Sequence, residues 1–520
     1  MSVILHPIRL MIESEKQSIL GGLGMYYKPN PNQETIEGFF LPFGGKLSAD
    51  NRWVKLAGMM PWDKIEERYV ESINEERGRL ALPSRVAFGA CFIKQAEGLS
   101  DERVPEAIAE NPYMQYFVGL YEFTPSPLFD SSMMVHFRKR FPVNFVADVN
   151  EYICTGKWPE SSRDVDRNGG NDNPGGSGGV TELPEPGVDS PHEGKLIMDA
   201  TVAPADIKYP TDIDLLNKCR EHLEKAIYLI WPKVPHEGHM LPYHPKKAKK
   251  SYLKLAKAKR WTKAKINKGI SDQLQYVEMA ATRLYQLLSK NPDAVEELPS
   301  WLCKRLEVIP VVYQQQKEMY DNNKRSCENR IVSIEQPHVH PIVRGKRPDP
   351  TEFGQKLHLS VVDGYVYLEQ TAWNNYNEST DLRACVAEYY RRFECLPSAI
   401  LADKIYQTRA NRAFCNQYGI RLSGPALGRK TEEKSQQEKE QMYQDSCERN
   451  IIEGRNGLAK RRYGLNLIMS KLEENAKTEA AFSILVMNAF RKIREVFMRF
   501  FPTLDYFVFY GRYFPLSLAG

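Results

Sequence analysis

Arg449, Glu453 and Lys460 lie in the stretch CERNIIEGRNGLAKRRYG, residues 447–464. On an α-helix turning about 100° per residue, their spacing brings all three within about 40° of one another. Ser446, three residues before Arg449, shares that face. One side of one helix then presents a carboxylate between two cations. The carboxylate can bind a metal ion through oxygen, and the two cations can hold phosphate. A solvated surface helix with ordinary i,i+4 ion pairs accounts for the same residues without chemistry. Gly454 and Gly457 count against the helix, at about 1 kcal/mol each.

Two further acids follow short apolar runs. In KLIMDATVAPADI, Leu196, Ile197 and Met198 read as a short buried strand with Asp199 at its end. In PSAILADKIY, residues 399–402 read as a second one, ended by Asp403. Strand ends in a mixed α/β sheet present side chains at one edge. Asp199, Asp403 and Glu453 converging there could hold two divalent metals about 4 Å apart, one activating a water or sugar hydroxyl and the other stabilising the leaving oxygen of a phosphodiester. A strand that has simply reached solvent explains each Asp, taken singly, equally well.

Other candidates carry less. Asp363 precedes Gly364 between two alternating runs in GQKLHLSVVDGYVYLEQ, so it reads as the turn of a β-hairpin rather than a ligand. His236, His239 and His244 lack the H-E-x-x-H spacing of a zinc helix. His338 and His340 read as structural.

Lys246, Lys247, Lys249, Lys250, Lys254, Lys257, Lys259, Arg260, Lys263, Lys265 and Lys268 form a stripe without a single acid, interleaved with Tyr252 and Trp261. Such a stripe repels itself unless an anionic partner is near, and a nucleic-acid backbone is the first choice. A solvated face or a membrane-surface helix are the alternatives.

The elements that would position these groups fall into blocks. Residues 1–50 read as a partly ordered leader. From Trp53 to Arg140 the apolar spacing is helical, and SRVAFGACFIKQAEG followed by DERVPEAIAENP fits a helix-turn-helix or any small bundle. Residues 159–194, with RNGGNDNPGGSGG and LPEPGVDSP, read as a flexible linker and the main boundary. Residues 212–330 read as an almost wholly helical insert, extending to about 340. DLRACVAEYYRRF and NRAFCNQYG read as helices and IRLSG as a strand. A long polar helix leads into residues 447–464, a helix surrounds FSILVMNAFRKIREVFMRFF, and 501–520 forms an aromatic tail.

The chain has 520 residues, 42% hydrophobic and 26% charged, with a formal net charge of +5, which gives room for several domains with real cores. Nine cysteines without a C-x-x-C pair argue against a zinc ribbon or redox dithiol and for a reducing compartment. MSVILHPIRLMIESEKQ is not a signal peptide, and no run of about 18 apolar residues predicts a membrane span.

Taken together, KLIMDATVAPADIKYPTDIDLL, EFGQKLHLSVVDGY, ILADKIYQTRANRAFC, IRLSGPALGR and ERNIIEGRNGLAKRRYGL, in that order, resemble a bacterial insertion-sequence transposase of the DDE type. The segment from Trp53 to Arg140, including LSDERVPEAIAENPYMQYFVGL, resembles the helical domain that precedes the catalytic domain in one branch of that family. The resemblance covers most of residues 50–495, apart from the linker.

It implies a mixed α/β fold: a ribonuclease-H-like catalytic core over 195–500 with the basic helical insertion at 212–340, behind an all-α, DNA-binding domain at 51–158. It implies Asp199, Asp403 and Glu453 as the metal triad for two Mg²⁺ ions, with Mn²⁺ as a substitute. Arg449 and Lys460 fit the family's Y-x2-R-x3-E-x6-K motif as grips on DNA phosphates, with Ser446 where the Tyr is usual.

The implied reaction is hydrolysis at terminal inverted repeats, then attack of the freed 3′-hydroxyl on target DNA. The partners are double-stranded DNA and further copies of the chain, in a bacterial cytoplasm at the nucleoid, with no membrane. A ribonuclease-H-like nuclease that cuts without joining, and a DNA-binding protein with an idle site, are the competing readings.

Overall fold

Alternation of period two builds the spine of a sheet. In the computed structural model, β3 (Thr351–Val362) and β4 (Tyr365–Ala372) form an antiparallel hairpin with Val362 opposite Tyr365. Its turn has Asp363 at φ 50° and Gly364 at φ 79°. A two-residue turn with both φ positive matches the twist of its strands and requires residues that tolerate the left-handed region, hence Asp-Gly. Asp363 is thus the turn residue its sequence suggested. The structure describes residues 41, 45–73, 81–160, 164–166, 183–185, 190–343, 351–425 and 432–500. The expected leader falls almost wholly outside these residues and the aromatic tail wholly outside.

On its other side β3 pairs antiparallel with β1 (Lys195–Pro204), which pairs parallel with β5 (Ala399–Leu401), which pairs parallel with β6 (Arg421–Leu422). A short β2 (Pro341–Val343) pairs with the first residues of β3. The run from one edge is therefore β4-β3-β1-β5-β6. Contrary to the expectation from LIMD, Asp199 does not end its strand. Ala200, Thr201, Val202 and Ala203 continue β1 to Pro204, because β3 offers partners as far as Gly354. What ends near Asp199 is β5, whose last partner on β1 is Ile197.

The two faces of the sheet bury different helices. Leu196, Met198, Ile400 and Tyr367 pack with Leu382, Cys385 and Val386 of α12 (Leu382–Phe393) and with Phe414 of α13 (Arg409–Gln417). Ile197, Leu359, Val366, Ala399 and Leu401 share the other core with Ile452 and Ala459 of α14 (Glu432–Arg462) and Leu485 of α15 (Glu473–Phe500). That second core also runs into the N-terminal helices.

Those helices are α1 (Arg52–Met59), α2 (Trp62–Glu71), α3 (Ser84–Glu97), α4 (Arg103–Glu110), α5 (Pro112–Phe117), α6 (Met133–Arg140) and α7 (Val143–Thr155). In α3 every residue from Val86 to Gln95 is buried. It is the central helix of a bundle, not an exposed reading helix. α15 packs against both α3 and α7, so elements from both sides of the linker share one interior. Within the linker, Val165 is buried and Asp166 bridges to Thr371 and to the Lys477 ammonium at 2.7 Å.

Charge also ties α3 to α15. Lys94 donates to Glu479 Oε1 at 2.8 Å, both buried, and Asp101 accepts from Lys94 at 3.1 Å and from Arg138 at 2.6 Å. Burial raises the Glu479 carboxyl pKa, but Lys94, Ser470 and Arg138 outweigh it and hold the group below its usual range. A carboxyl depressed on folding adds stability above its unfolded pKa of about 4.3 and loses it as pH falls through the folded value. Stability should therefore fall below about pH 4.3, and Glu479→Gln should flatten that acid limb in denaturant titrations. Identical limbs in parent and variant would show that this pair is not the acid-sensitive one.

The insert has a core of its own. Helices α8 (Asp212–Ile230), α9 (Pro245–Ala256), α10 (Lys263–Lys290) and α11 (Ser300–Asp321) follow β1, and Leu216, Leu223, Ile227, Val277, Leu284, Leu302 and Val312 meet between them.

Candidate DNA-cleavage site

Continuing the β1·β5 register two residues past Ile197↔Leu401 pairs Asp199 with Asp403. Neighbouring strands lie about 4.8 Å apart, and residues two apart on a strand share a face. That extrapolated register would set the two aspartates on the face of Ile197 and Leu401, where β5 has given way to a loop. Asp199 is half-buried. Asp403 keeps extended backbone (φ −72°, ψ 168°), is exposed, and caps the short 3-10 turn Lys404–Tyr406 by accepting from the Lys404 N–H at 2.7 Å.

The helix α14 lies across this same face. It runs unbroken through Gly454 and Gly457, whose cost of about 1 kcal/mol each is offset by burial of Ile452, Asn456 and Ala459. Its earlier turns are pinned over the strand starts: Asp445 takes both Arg421 nitrogens at 2.6 and 2.9 Å, and Glu448 takes the Lys195 ammonium at 2.6 Å. Glu453 follows Ile452 on the flank of the buried stripe, largely exposed, with Arg449 at 3.6 Å. Ser446 is exposed as well. Arg449, Glu453 and Lys460 share that flank, as their spacing predicts.

The donors are all carboxylate oxygens, the kind a hard divalent cation takes. Among the described residues, however, no group of three or more His, Cys, Asp and Glu side chains is gathered closely enough to hold a metal. Three carboxylates in contact repel unless a cation lies between them, and Glu453 leans to Arg449 instead. The set fits in donor type and in placement on one face. The Glu453 carboxylate is held only loosely, with Arg449 at 3.6 Å, beyond hydrogen-bond distance.

The sequence reading missed what holds Asp403 from beneath. Tyr406, at the other end of the 3-10 turn, is buried in the opposite face, its hydroxyl 2.8 Å from His358 Nε2. His358, fully buried on β3 opposite Ala200, places Nδ1 3.2 Å from Asp381 Oδ2. Nδ1–H donating to Asp381 leaves Nε2 to accept from Tyr406. Burial, then nearby charges that include Asp199, push the Tyr406 phenol pKa well up, so it stays a donor. A histidine between two leucines of a strand, in LHLSVV, was the available signal.

In the insert, all eleven cations of the stripe, Lys246 to Lys268, are exposed on α9, the following loop and the first turns of α10. Among the described residues none has an acidic partner within ion-pair distance. Trp261 remains half-exposed beside them, whereas Tyr252 is engaged by Asp214. His236 stacks on Trp231, with ring centroids 3.7 Å apart, and His338 packs on Trp373, where burial pulls its pKa to about 4. No helix among the described residues is long and apolar enough to cross a membrane.

Comparison with known proteins gives two family matches. Residues 400–489, which carry Asp403 and Glu453, match the transposase DDE domain, and residues 42–140 match the transposase domain DUF772. The protein ORF8 in the nfe locus of Rhizobium meliloti, itself uncharacterized, is 38% identical over 87 residues, 17% of this chain. The chain spans 42% of that relative's length. No solved structure matches. Two transposase-family models, one on each side of the linker, thus match this chain, in line with the resemblance its motifs carry.

Proposed function

We propose that the protein cuts DNA at the ends of a mobile element and joins the freed 3′-hydroxyl to a target, using Asp199, Asp403 and Glu453. The observation that supports this reading is the parallel pairing of β1 with β5, whose last pair, Ile197 with Leu401, lies two residues before Asp199 and Asp403 on a face that shares a core with Ile452 of α14. The strand order β4-β3-β1-β5-β6, antiparallel on one side of β1 and parallel on the other, supports a ribonuclease-H-like core with the helical insert after its first strand.

Asp199, Asp403 and Glu453 would hold one or two Mg²⁺ or Mn²⁺ ions, which supply Lewis-acid stabilisation of the attacking and leaving oxygens. Arg449 and Lys460, on the flank of Glu453, grip phosphates beside the scissile bond. Tyr406 and His358 position the turn that presents Asp403. The exposed stripe, Lys246, Lys247, Lys249, Lys250, Lys254, Lys257, Lys259, Arg260, Lys263, Lys265 and Lys268, holds the duplex away from the site. The partners are transposon ends, target duplex and further copies of the chain, at the bacterial nucleoid.

A strand-transfer assay with pre-cleaved element ends and a plasmid target tests the reading. Joined products are expected with Mg²⁺; cutting without joining would indicate a nuclease, and neither would indicate an idle site. Exchanging Lys246, Lys250, Lys254 and Lys257 for Gln should lower the slope of log affinity against log salt by about 0.9 for each phosphate that is no longer neutralised. An unchanged slope, read by fluorescence anisotropy, would mean that this stripe touches no DNA.

A further inference from the structure

The opposite flank of α14 carries a second set of cations that the proposed site does not use. Arg455 lies about 160° round the helix from Glu453, and Arg462, seven residues on, falls on the same side about 10 Å further along. There α14 meets α15, which in turn packs on α1. Phe490 stacks with Tyr463 at 6.1 Å between ring centroids, Arg52 lies over the Phe490 ring at 5.7 Å, and Arg462 lies over Tyr463 at 5.9 Å. The charges of Arg462, Arg494, Arg52 and Arg455 all bear on the Tyr463 hydroxyl.

Some of this charge is matched. Arg52 pairs with Glu97 at 2.7 Å, and Arg491 with Glu495 at 2.7 Å. Among the described residues, no acidic side chain lies within ion-pair distance of Arg455, Arg462 or Arg494. Arg455 is half-buried, and burial, then the charges of Arg491 and Arg494, pull its pKa below the ordinary guanidinium value. Like charges held together on two packed helices raise the energy of the folded chain, and an anion docking between them lowers it. One phosphate cannot span guanidiniums about 10 Å apart along a helix, whereas duplex DNA offers a charge about every 1.7 Å of its axis. Guanidinium forks suit phosphate oxygens.

We propose that Arg455, Arg462 and Arg494 form a second surface for the phosphodiester backbone of duplex DNA, on the flank of α14 facing away from Glu453. The proposal rests on the DNA reading above. It places two duplex segments on opposite flanks of one helix, as a reaction that joins one DNA to another needs.

The test uses the full chain with Asp403→Asn, so that no DNA is consumed, and a short fluorescent duplex titrated between about 50 and 200 mM salt. R455Q/R462Q/R494Q should reduce the salt slope by about 2 to 3 and weaken binding at least tenfold at the lower salt. The triple Lys variant, which keeps the charge, should recover most of the loss. Added inorganic phosphate should displace duplex no better than chloride at equal ionic strength. An unchanged slope in the Gln variant overturns the second surface while leaving the DNA reading in place. Phosphate displacing duplex from the parent but not from the Gln variant overturns it in favour of a free-phosphate site. A parent that binds no duplex at all overturns both.

Discussion

Asp199→Asn, Asp403→Asn and Glu453→Gln should each lower DNA cleavage by at least about a thousandfold, because a carboxylate that holds a catalytic cation supports several kcal/mol of transition-state stabilisation and each 1.36 kcal/mol is tenfold in rate. The amides keep the shape of the side chain and remove its charge. Asp199 is half-buried in mid-strand, and its backbone pairing with β3 does not depend on the carboxylate. Asp403 would retain an oxygen to cap Lys404. Glu453 is largely exposed. None of the three should unfold, and duplex binding should persist, since removing a negative charge near a phosphate does not weaken it. Single-turnover nicking of an end-labelled duplex, with a gel shift alongside, reads both. A variant that cuts within tenfold of the parent would take its residue out of the site.

The largest stability loss should come from Arg392→Ala. The Arg392 guanidinium is buried under α7 and the hairpin. It donates to Glu369 at 2.6 and 3.3 Å and to Glu151 at 3.0 Å, and it lies over the Tyr367 ring at 4.5 Å. Arg391 donates to the same Glu151. Truncating Arg392 breaks its buried ion pair with Glu369, a change that costs about 3–5 kcal/mol. Arg392→Lys should recover only part, since an ammonium lacks the planar guanidinium fork that meets both Glu369 oxygens while also reaching Glu151. Replacing both partners with apolar residues, Arg392→Met with Glu369→Leu, should cost less than Arg392→Ala alone. Urea midpoints decide the matter. A loss under about 1 kcal/mol for Arg392→Ala would mean that water reaches the pair.

Particular residues show how far the sequence could be read. The hairpin at Asp363-Gly364, the strand at 399–401, and the helices at 84–97 and 382–393 follow from local pattern, and there local preference and tertiary environment agree. Asp199 was misplaced because an acid after three apolar residues looks like a strand end. Only β3, some 160 residues later in the chain, shows that pairing continues past it. The doubt that Gly454 and Gly457 cast on α14 was local and true, but packing of Ile452 and Ala459 outweighed it. Tyr406 and Arg392 were invisible for another reason: each matters through a buried partner on a distant strand, His358 or Glu369. The common interior of the N-terminal helices and α15 was hidden by the linker's composition, which says nothing of what its two ends fold against.

Because α14 is one uninterrupted rod, its residues behave like marks on a dial. Excising a single position between Asp445, clamped by Arg421, and Glu453 would swing Glu453 and Lys460 through about 100°, carrying them off the aspartates' side, while adding seven would shift them only about 20° in azimuth. A chain of this kind tolerates length variation before residue 445 or past Gly464, but within those limits it must keep phase as well as identity.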